Sequence, residues 1–370
     1  MNLSFWEHKN WFEAIDFAII GSGIVGINCA LQLRKKHPKA KIVIFEKGLL
    51  PEGASTKNAG FACFGSVSEI LDDLNRMTVD EVLNLIEKRW KGIQKLKKAF
   101  GKAIDFKDYG GYELFLENDK HFTTCVDEIN RINQLLKPIF KKAVFSTAEN
   151  RFGFKQVHQQ LIFNAFEGQI DTGKMMQAYL KLAHQQDILI LNNCTLNSFK
   201  QLEQQVEIEI NQTKFNVKNL LLATNGFASS LFPDELKPAR AQVLITKPIA
   251  DLKVKGTFHI DQGYYYFRNY KDRILFGGAR NLAFEEEETT AMQTTALIQN
   301  RLEDVLKNVI LPNQPFEIDQ RWTGIMGVGQ TKVPIVKQLS ENVFCGVKLG
   351  GMGVAIGAQV GKDLANLSVG

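Results

Sequence analysis

Cysteine is scarce and scattered in this 370-residue chain. Cys29, Cys63, Cys125, Cys194 and Cys345 are odd in number, far apart and without metal-ligand spacing. That excludes a disulfide framework and leaves a reducing compartment as the expected setting, with no metal site expected. Charge of one sign is also scarce, because 45 Lys and Arg against 40 Asp and Glu leave only +5. A dedicated nucleic-acid binder carries a far denser positive patch. Long apolar runs are missing too. Residues 17–33 come nearest, but Ser22, Asn28 and Gln32 interrupt them, three glycines lie inside, and Glu7, Glu13 and Asp16 precede them where a signal peptide would be basic. Neither a signal peptide nor a membrane span is expected, and the cytoplasm is the expected location. What remains is an ordinary globular composition, 45% hydrophobic and 23% charged, in a chain long enough for two domains of about 100–200 residues each.

The first sixty residues carry the sharpest pattern. Residues 16–20 read as a short strand in which Asp16 is followed by a continuous apolar run, which suits a parallel strand buried on both faces. Gly21-Ser22-Gly23-Ile24-Val25-Gly26 follows, and the apolar residues Ile24, Ile27, Ala30 and Leu31 then recur at helical spacing until His37-Pro38 stops the helix. Residues 41–45 read as a second strand, ending in Glu46 twenty residues after Gly26. This is the order of a dinucleotide-binding unit. Gly21 allows the tight turn, Gly23 the close approach of backbone N–H groups to a pyrophosphate, and Gly26 the packing of helix on strand. Ser22, Ile24 and Val25 complete the turn, and Glu46, followed by Lys47, offers a carboxylate to ribose hydroxyls. The pattern alone leaves NAD and FAD open.

The polar loop after Glu46 contains Gly53, Ala54, Ser55, Lys57, Asn58, Ala59 and Gly60, small residues suited to backbone lying against a flat group. Here the sequence resembles the D-amino-acid oxidase superfamily of flavoproteins, which includes glycine oxidase, sarcosine oxidase and the D-amino-acid dehydrogenases. Three later segments extend the resemblance over nearly the whole chain. Residues 170–184 look like the helix that re-enters the FAD domain, with Asp171 or Thr172 as its N-cap. Residues 220–228 resemble the Ala-Thr-Gly motif, as Ala223, Thr224 and Gly226 with Asn225 inserted. Residues 342–357 read as strand, glycine turn and helix, and bring Gly350, Gly351, Met352, Gly353 and Val354 to a helix N-terminus that favours negative charge. The resemblance implies FAD as cofactor and places this last turn near flavin N1 and the C2 carbonyl. It also implies an α/β fold: a Rossmann-type, glutathione-reductase-like FAD-binding domain (residues 1–76, 151–235 and 321–370) and a mixed-sheet α+β substrate domain (77–150 and 236–320), both discontinuous.

In the substrate half, residues 86–102 predict a helix with Ile86, Trp90, Ile93 and Phe100 on one face and lysines over the rest. This is read as a solvated face, with an anionic surface as the lesser alternative. Glu285 to Glu288 precede an expected helix to about Val309, where negative charge suits the dipole. Residues 263–268 and 273–280 read as a hairpin, with Tyr264, Tyr266 and Arg268 on one face by period two. In the family such a hairpin roofs the substrate cavity, where an arginine would hold a carboxylate in bidentate fashion. Residues 321–334 resemble the family's Trp-x-Gly-Leu-Arg-Pro stretch, with Met326 in place of the arginine. Arg268, Arg280 or Lys348 then takes over the anion, or the substrate is a different amine. Lys57 and Lys348 are the cations expected near the ring. Cys345 reads as a small core residue, and His259 as surface or structural.

No acid–base pair stands out, which fits an amine that gives hydride from its α carbon when bound deprotonated and correctly aimed. The expected activity is FAD-dependent oxidation of a C–N bond in a small, anionic amine or amino acid, with oxygen or another electron acceptor. Oxidation of a 2-hydroxy acid and a non-catalytic FAD-binding role are the alternatives.

Overall fold

The computed structural model describes residues 3–369. Two eight-stranded sheets organise them. In the first, Val343–Val347, Thr213–Leu222, Ile15–Ile20, Ile42–Phe45 and Leu189–Leu191 run parallel in that order. Antiparallel Ile335–Ser340 closes one edge, and Val206–Ile210 and Leu196–Gln201 extend Thr213–Leu222. Ile42–Phe45 is buried throughout and Ile15–Ile20 almost so, as strands sandwiched on both faces must be. The helices Ile24–Lys36 and Gly353–Leu367 pack closely on one another at one face of this sheet. Gly361 makes that packing possible, because a Cβ there would overlap the carbonyl oxygen of Val25, and Gly26 lets the first helix lie on its strand, because a Cβ there would overlap the carbonyl oxygen of Gly21.

The second sheet has the order Ile318–Val328, Lys237–Thr246, Arg273–Gly278, Tyr265–Tyr270, Thr257–Ile260, Gly111–Leu114, Gln160–Asn164, Phe145–Glu149. It is antiparallel except where Thr257–Ile260 runs beside Gly111–Leu114. One face carries Phe258, Phe267, Phe276 and Leu244 onto the helix Ala296–Val305. The other faces the first sheet across a cleft.

Sheet membership departs from the expected boundaries in two places. Gln160–Asn164 and the whole of Ile318–Val328 pair in the second sheet, although residues 151–235 and 321–370 are expected in the FAD-binding domain. The expected basic helix runs from Val79 to Phe100, opened by a capping box between Thr78 and Glu81. Its Gly92 lies on the backbone of Ala355, where a Cβ would overlap the carbonyl oxygen, so this helix docks on the dinucleotide unit. The dipole reading of Glu285 to Glu288 is also corrected. The helix begins only at Ala296, and Glu287 is buried in a bidentate pair with Arg240, 2.8 Å at each contact, with Gln242 donating to it at 2.9 Å. Among the described residues, no helix is long and apolar enough to cross a membrane.

Candidate active site

The two sheets enclose one long cleft of about 1000 Å³, at the upper end of ordinary small-molecule pockets. At one end, the strand Ile15–Ile20 hands the chain to the helix Ile24–Lys36 through Gly21, whose φ of +101° is open to glycine and strained for other residues. Gly23, Ile24 and Val25 at this helix start line the cleft. Ile24 N donates to Ser55 Oγ at 3.0 Å, and a Cβ on Gly23 would come within 2.8 Å of that hydroxyl. Glu46 ends the neighbouring strand. Its carboxylate accepts from Ser22 N and Ser22 Oγ, both at 2.8 Å, and from Gly48 N at 3.1 Å, which fixes it at the cleft wall.

From there the wall continues along the short helix Ala54–Lys57. Asn58 holds the exit of that helix, donating to the Ala54 and Ser55 carbonyls and accepting from Gly60 N and from Thr172 Oγ1. Asp171 caps the helix Thr172–Gln185 by accepting from Lys174 N at 2.9 Å. Ala223, Thr224 and Asn225 line the opposite side, and the Asn225 amide oxygen accepts from Leu349 N at 3.2 Å. Gly350, Gly351, Met352, Gly353 and Val354 present the start of the helix Gly353–Leu367 to the same space.

Of the expected cofactor residues, Ser22, Gly26 and Gly226 do not line the cleft. Ser22 steadies Glu46, Gly26 packs helix on strand, and a Cβ on Gly226 would overlap the carbonyl oxygen of Met326. The others form one continuous groove: a carboxylate, a glycine-lined helix N-terminus, a stretch of small residues and a second helix N-terminus. These groups fit a flavin dinucleotide, the carboxylate accepting from ribose hydroxyls and the helix starts offering N–H groups to the pyrophosphate and ring.

The far end of the cleft is walled by the second sheet. Tyr264, Tyr266, Arg280, His259 and Met326 face it, together with Cys63 and Glu69. Arg268 does not. Its side chain passes behind the wall, and its guanidinium donates to the carbonyls of Ala59, Asn269 (3.1 Å) and Ile170 (2.9 Å). Burial holds it below the usual arginine range, at about 10. Period two gave its face correctly, but the loop carrying Ala59 covers it. Lys348 is likewise absent from the wall. It is buried with its stem against Gly329, and burial, only partly offset by Glu235, pulls its ammonium below the lysine range. Cys345 lies in the core between its strand neighbours Leu222 and Lys337.

Arg280 is therefore the cation of the expected trio that reaches the cleft. Its guanidinium makes no hydrogen bond or ion pair among the described residues, only a contact over the Phe284 ring at 4.8 Å, and burial lowers its affinity for its proton. Tyr266 lies flat over Gly277, and its low-dielectric surroundings push the phenol to about 12, so it stays a neutral donor.

His259, expected at the surface or in a structural role, is buried in the cleft wall and pairs with Glu167 at 2.6 Å. Lys332, from the segment at 328–332 that borders the cleft, reaches Asp73 at 3.0 Å and Glu69 at 3.8 Å on the helix Val67–Leu74. Alternation in residues 257–260 is the sequence signal that could have set His259 on the face opposite Phe258. Nothing local pointed to Glu167, which is 92 residues away.

Comparison with known proteins agrees with this geometry. The family model described as FAD dependent oxidoreductase (DAO) matches residues 16–367. A D-amino acid dehydrogenase of Helicobacter pylori is 21% identical, covering 95% of this chain and 94% of its own. A probable oxidoreductase, OrdL, of Haemophilus influenzae is 19% identical over 97% of this chain and 84% of its own. Among solved structures, glycine oxidase from Geobacillus kaustophilus superposes with a TM-score of 0.75 at 15% identity, covering 95% of this chain and 94% of that one. L-proline dehydrogenase from P. horikoshii gives 0.72 at 17% identity, covering 96% and 94%.

Proposed function

Since the chain belongs to the FAD-dependent oxidoreductase (DAO) family, we propose that it oxidises a C–N bond of a small amine or amino acid. When bound, the flavin would supply the hydride acceptor and a route for the electrons to oxygen or another acceptor. The protein's own part is binding and aiming. The observation that carries the reading is the unpaired Arg280 beside Tyr264 and Tyr266, at the end of the cleft away from the dinucleotide turn. A free guanidinium there holds a substrate carboxylate, and the tyrosines supply neutral donors and shape. This also relocates the anion site from the motif position occupied by Met326.

The amine reading is favoured over a 2-hydroxy acid by the state of the one imidazole in the wall. An alcohol needs a base to take its hydroxyl proton as hydride leaves, whereas an amine binds neutral and needs none. Burial disfavours the imidazolium of His259, but Glu167 more than reverses this and holds its pKa at about 9. At neutral pH it is an acid, not a base. The relatives named for glycine, proline and D-amino acids act on amines, which supports the same choice. Deuterium on the α carbon of an amino acid that reduces the flavin slows that reduction several-fold under this reading. Equal rates for the two isotopes contradict it.

A further inference from the structure

The second-sheet wall contains a row of cross-strand neighbours of which the reaction as described uses only Tyr266 on the substrate. Glu113, His259, Tyr266 and Gly277 are direct cross-strand partners on four adjacent strands. Because Phe258 and Ile260 turn into the core on the other face, His259 and Tyr266 look into the cleft. The ring of His259 is fixed on two sides. Nε2 meets Glu167 at 2.6 Å, and Phe61 packs edge-on against it at 5.3 Å while also touching Tyr266 at 5.7 Å. Nδ1 has no partner among the described residues, and the ring lines the cleft.

The charged and titratable groups around this ring are Glu167 after the strand Gln160–Asn164, Glu69 on the helix Val67–Leu74, Glu113 on Gly111–Leu114, and Cys63 after Phe61–Ala62. Glu69 is paired with Lys332, and Glu113 is raised by burial although the hydroxyls of Ser66 and Ser68 donate to it. The Cys63 thiol is pushed up by burial and by Glu167, so it stays protonated. Glu167 is thus the fixed counter-charge, on the side of the ring away from the free nitrogen.

We propose that His259 is a specificity-determining residue of the cleft: held by Glu167 through Nε2, it donates from Nδ1 to a carboxylate or carbonyl oxygen of the substrate. The proposal rests on the reading of this cleft end as a substrate site. Arg280 provides the forked anchor, and His259 provides a fixed second donor that selects amines carrying an acceptor oxygen within reach of both. A charge-assisted donor of this kind contributes more than a neutral one and is the more sensitive to loss.

Benzoate, an anion throughout the range, tests this in the FAD-loaded protein through its perturbation of flavin absorbance between pH 6 and 10. Expected is an affinity constant from pH 6 to 8 that falls about tenfold as the imidazolium loses its proton near pH 9. In Glu167→Gln the fall moves below pH 8, toward ordinary imidazole. In His259→Leu binding is weak and flat. Arg280→Met binds more weakly at every pH yet keeps the break.

The unaltered protein gives a second measurement that needs no variant. With ¹⁵N-labelled histidine, benzoate shifts the resonance that titrates near pH 9. No shift, or a break that persists in His259→Leu, overturns the assignment. One equivalent of zinc that survives dialysis and is lost in Cys63→Ser also overturns it, because Cys63, Glu167 and His259 bring ligand atoms within 4.8 Å of one another. A protein that shows the benzoate break but is reduced by no amine leaves His259 assigned and rejects C–N oxidation. Reduction by amines without the break does the reverse.

Discussion

Three cationic side chains of the second sheet show how much depth decides. Arg268, Arg280 and His259 all lie on or beside strands of the same wall, yet Arg268 is consumed by three backbone carbonyls, His259 by one carboxylate, and Arg280 by none. Their substitutions should therefore separate. Arg280→Met raises KM for a carboxylate substrate at least tenfold with little change in folding, as loss of a charged donor worth about 1.5–3 kcal/mol requires. Arg268→Met instead lowers the urea midpoint by an amount equivalent to about 3 kcal/mol and weakens FAD retention, because it leaves buried carbonyls of Ala59 and Ile170 without donors. A raised KM with normal stability for Arg268→Met would return that residue to the substrate. For His259 the sign follows from its raised pKa. Its pairing with Glu167 stabilises the fold fully below the ordinary imidazole value of 6.5 and is lost as pH rises through about 9. Denaturation of the parent and of His259→Gln across pH 6–10 should show the parent's advantage shrinking toward high pH. An advantage that grows with pH contradicts the pairing.

Elements whose logic is local were legible, and elements that depend on distant partners were not. Strand, glycine turn, helix and acid in residues 16–46 appear in the structure as Ile15–Ile20, Ile24–Lys36 and Ile42–Phe45, because each step has a short-range cause. The hairpin was also visible, although its first strand runs on to Tyr270 and the turn tightens to Lys271 and Asp272. The acids at 285–288 misled because the helix they were given to starts later, and Glu287 finds Arg240 across 47 residues. The Glu167–His259 pair was invisible for the same reason. Element packing also gives a prediction. Gly26→Ala forces a Cβ into the Gly21 backbone, so the helix must lift from its strand at a cost of about 1–3 kcal/mol. Weakened FAD binding should accompany the loss of stability, measured by flavin fluorescence released on dilution. Unchanged retention would mean that the helix N-terminus tolerates displacement.

At the scale of the whole molecule, the two sheets divide the labour. One carries the dinucleotide groove on parallel strand ends, and the other supplies a mostly antiparallel wall whose inner face is polar and whose outer face is core. The chain crosses between them repeatedly, so the cleft exists only when both are folded. Saturating FAD should therefore raise the unfolding midpoint of the entire chain in one transition, by about 2.7 kcal/mol at a hundredfold excess over Kd. A rise confined to one of two separate transitions would contradict that coupling. The central claim, oxidation at a C–N bond, is tested most directly by mixing the FAD-loaded protein anaerobically with D- and L-amino acids, N-methyl amino acids and 2-hydroxy acids while following the visible flavin band. The account predicts bleaching by one or more of the amines and none by the hydroxy acids. Bleaching by hydroxy acids alone, or by no compound in the panel, would contradict it.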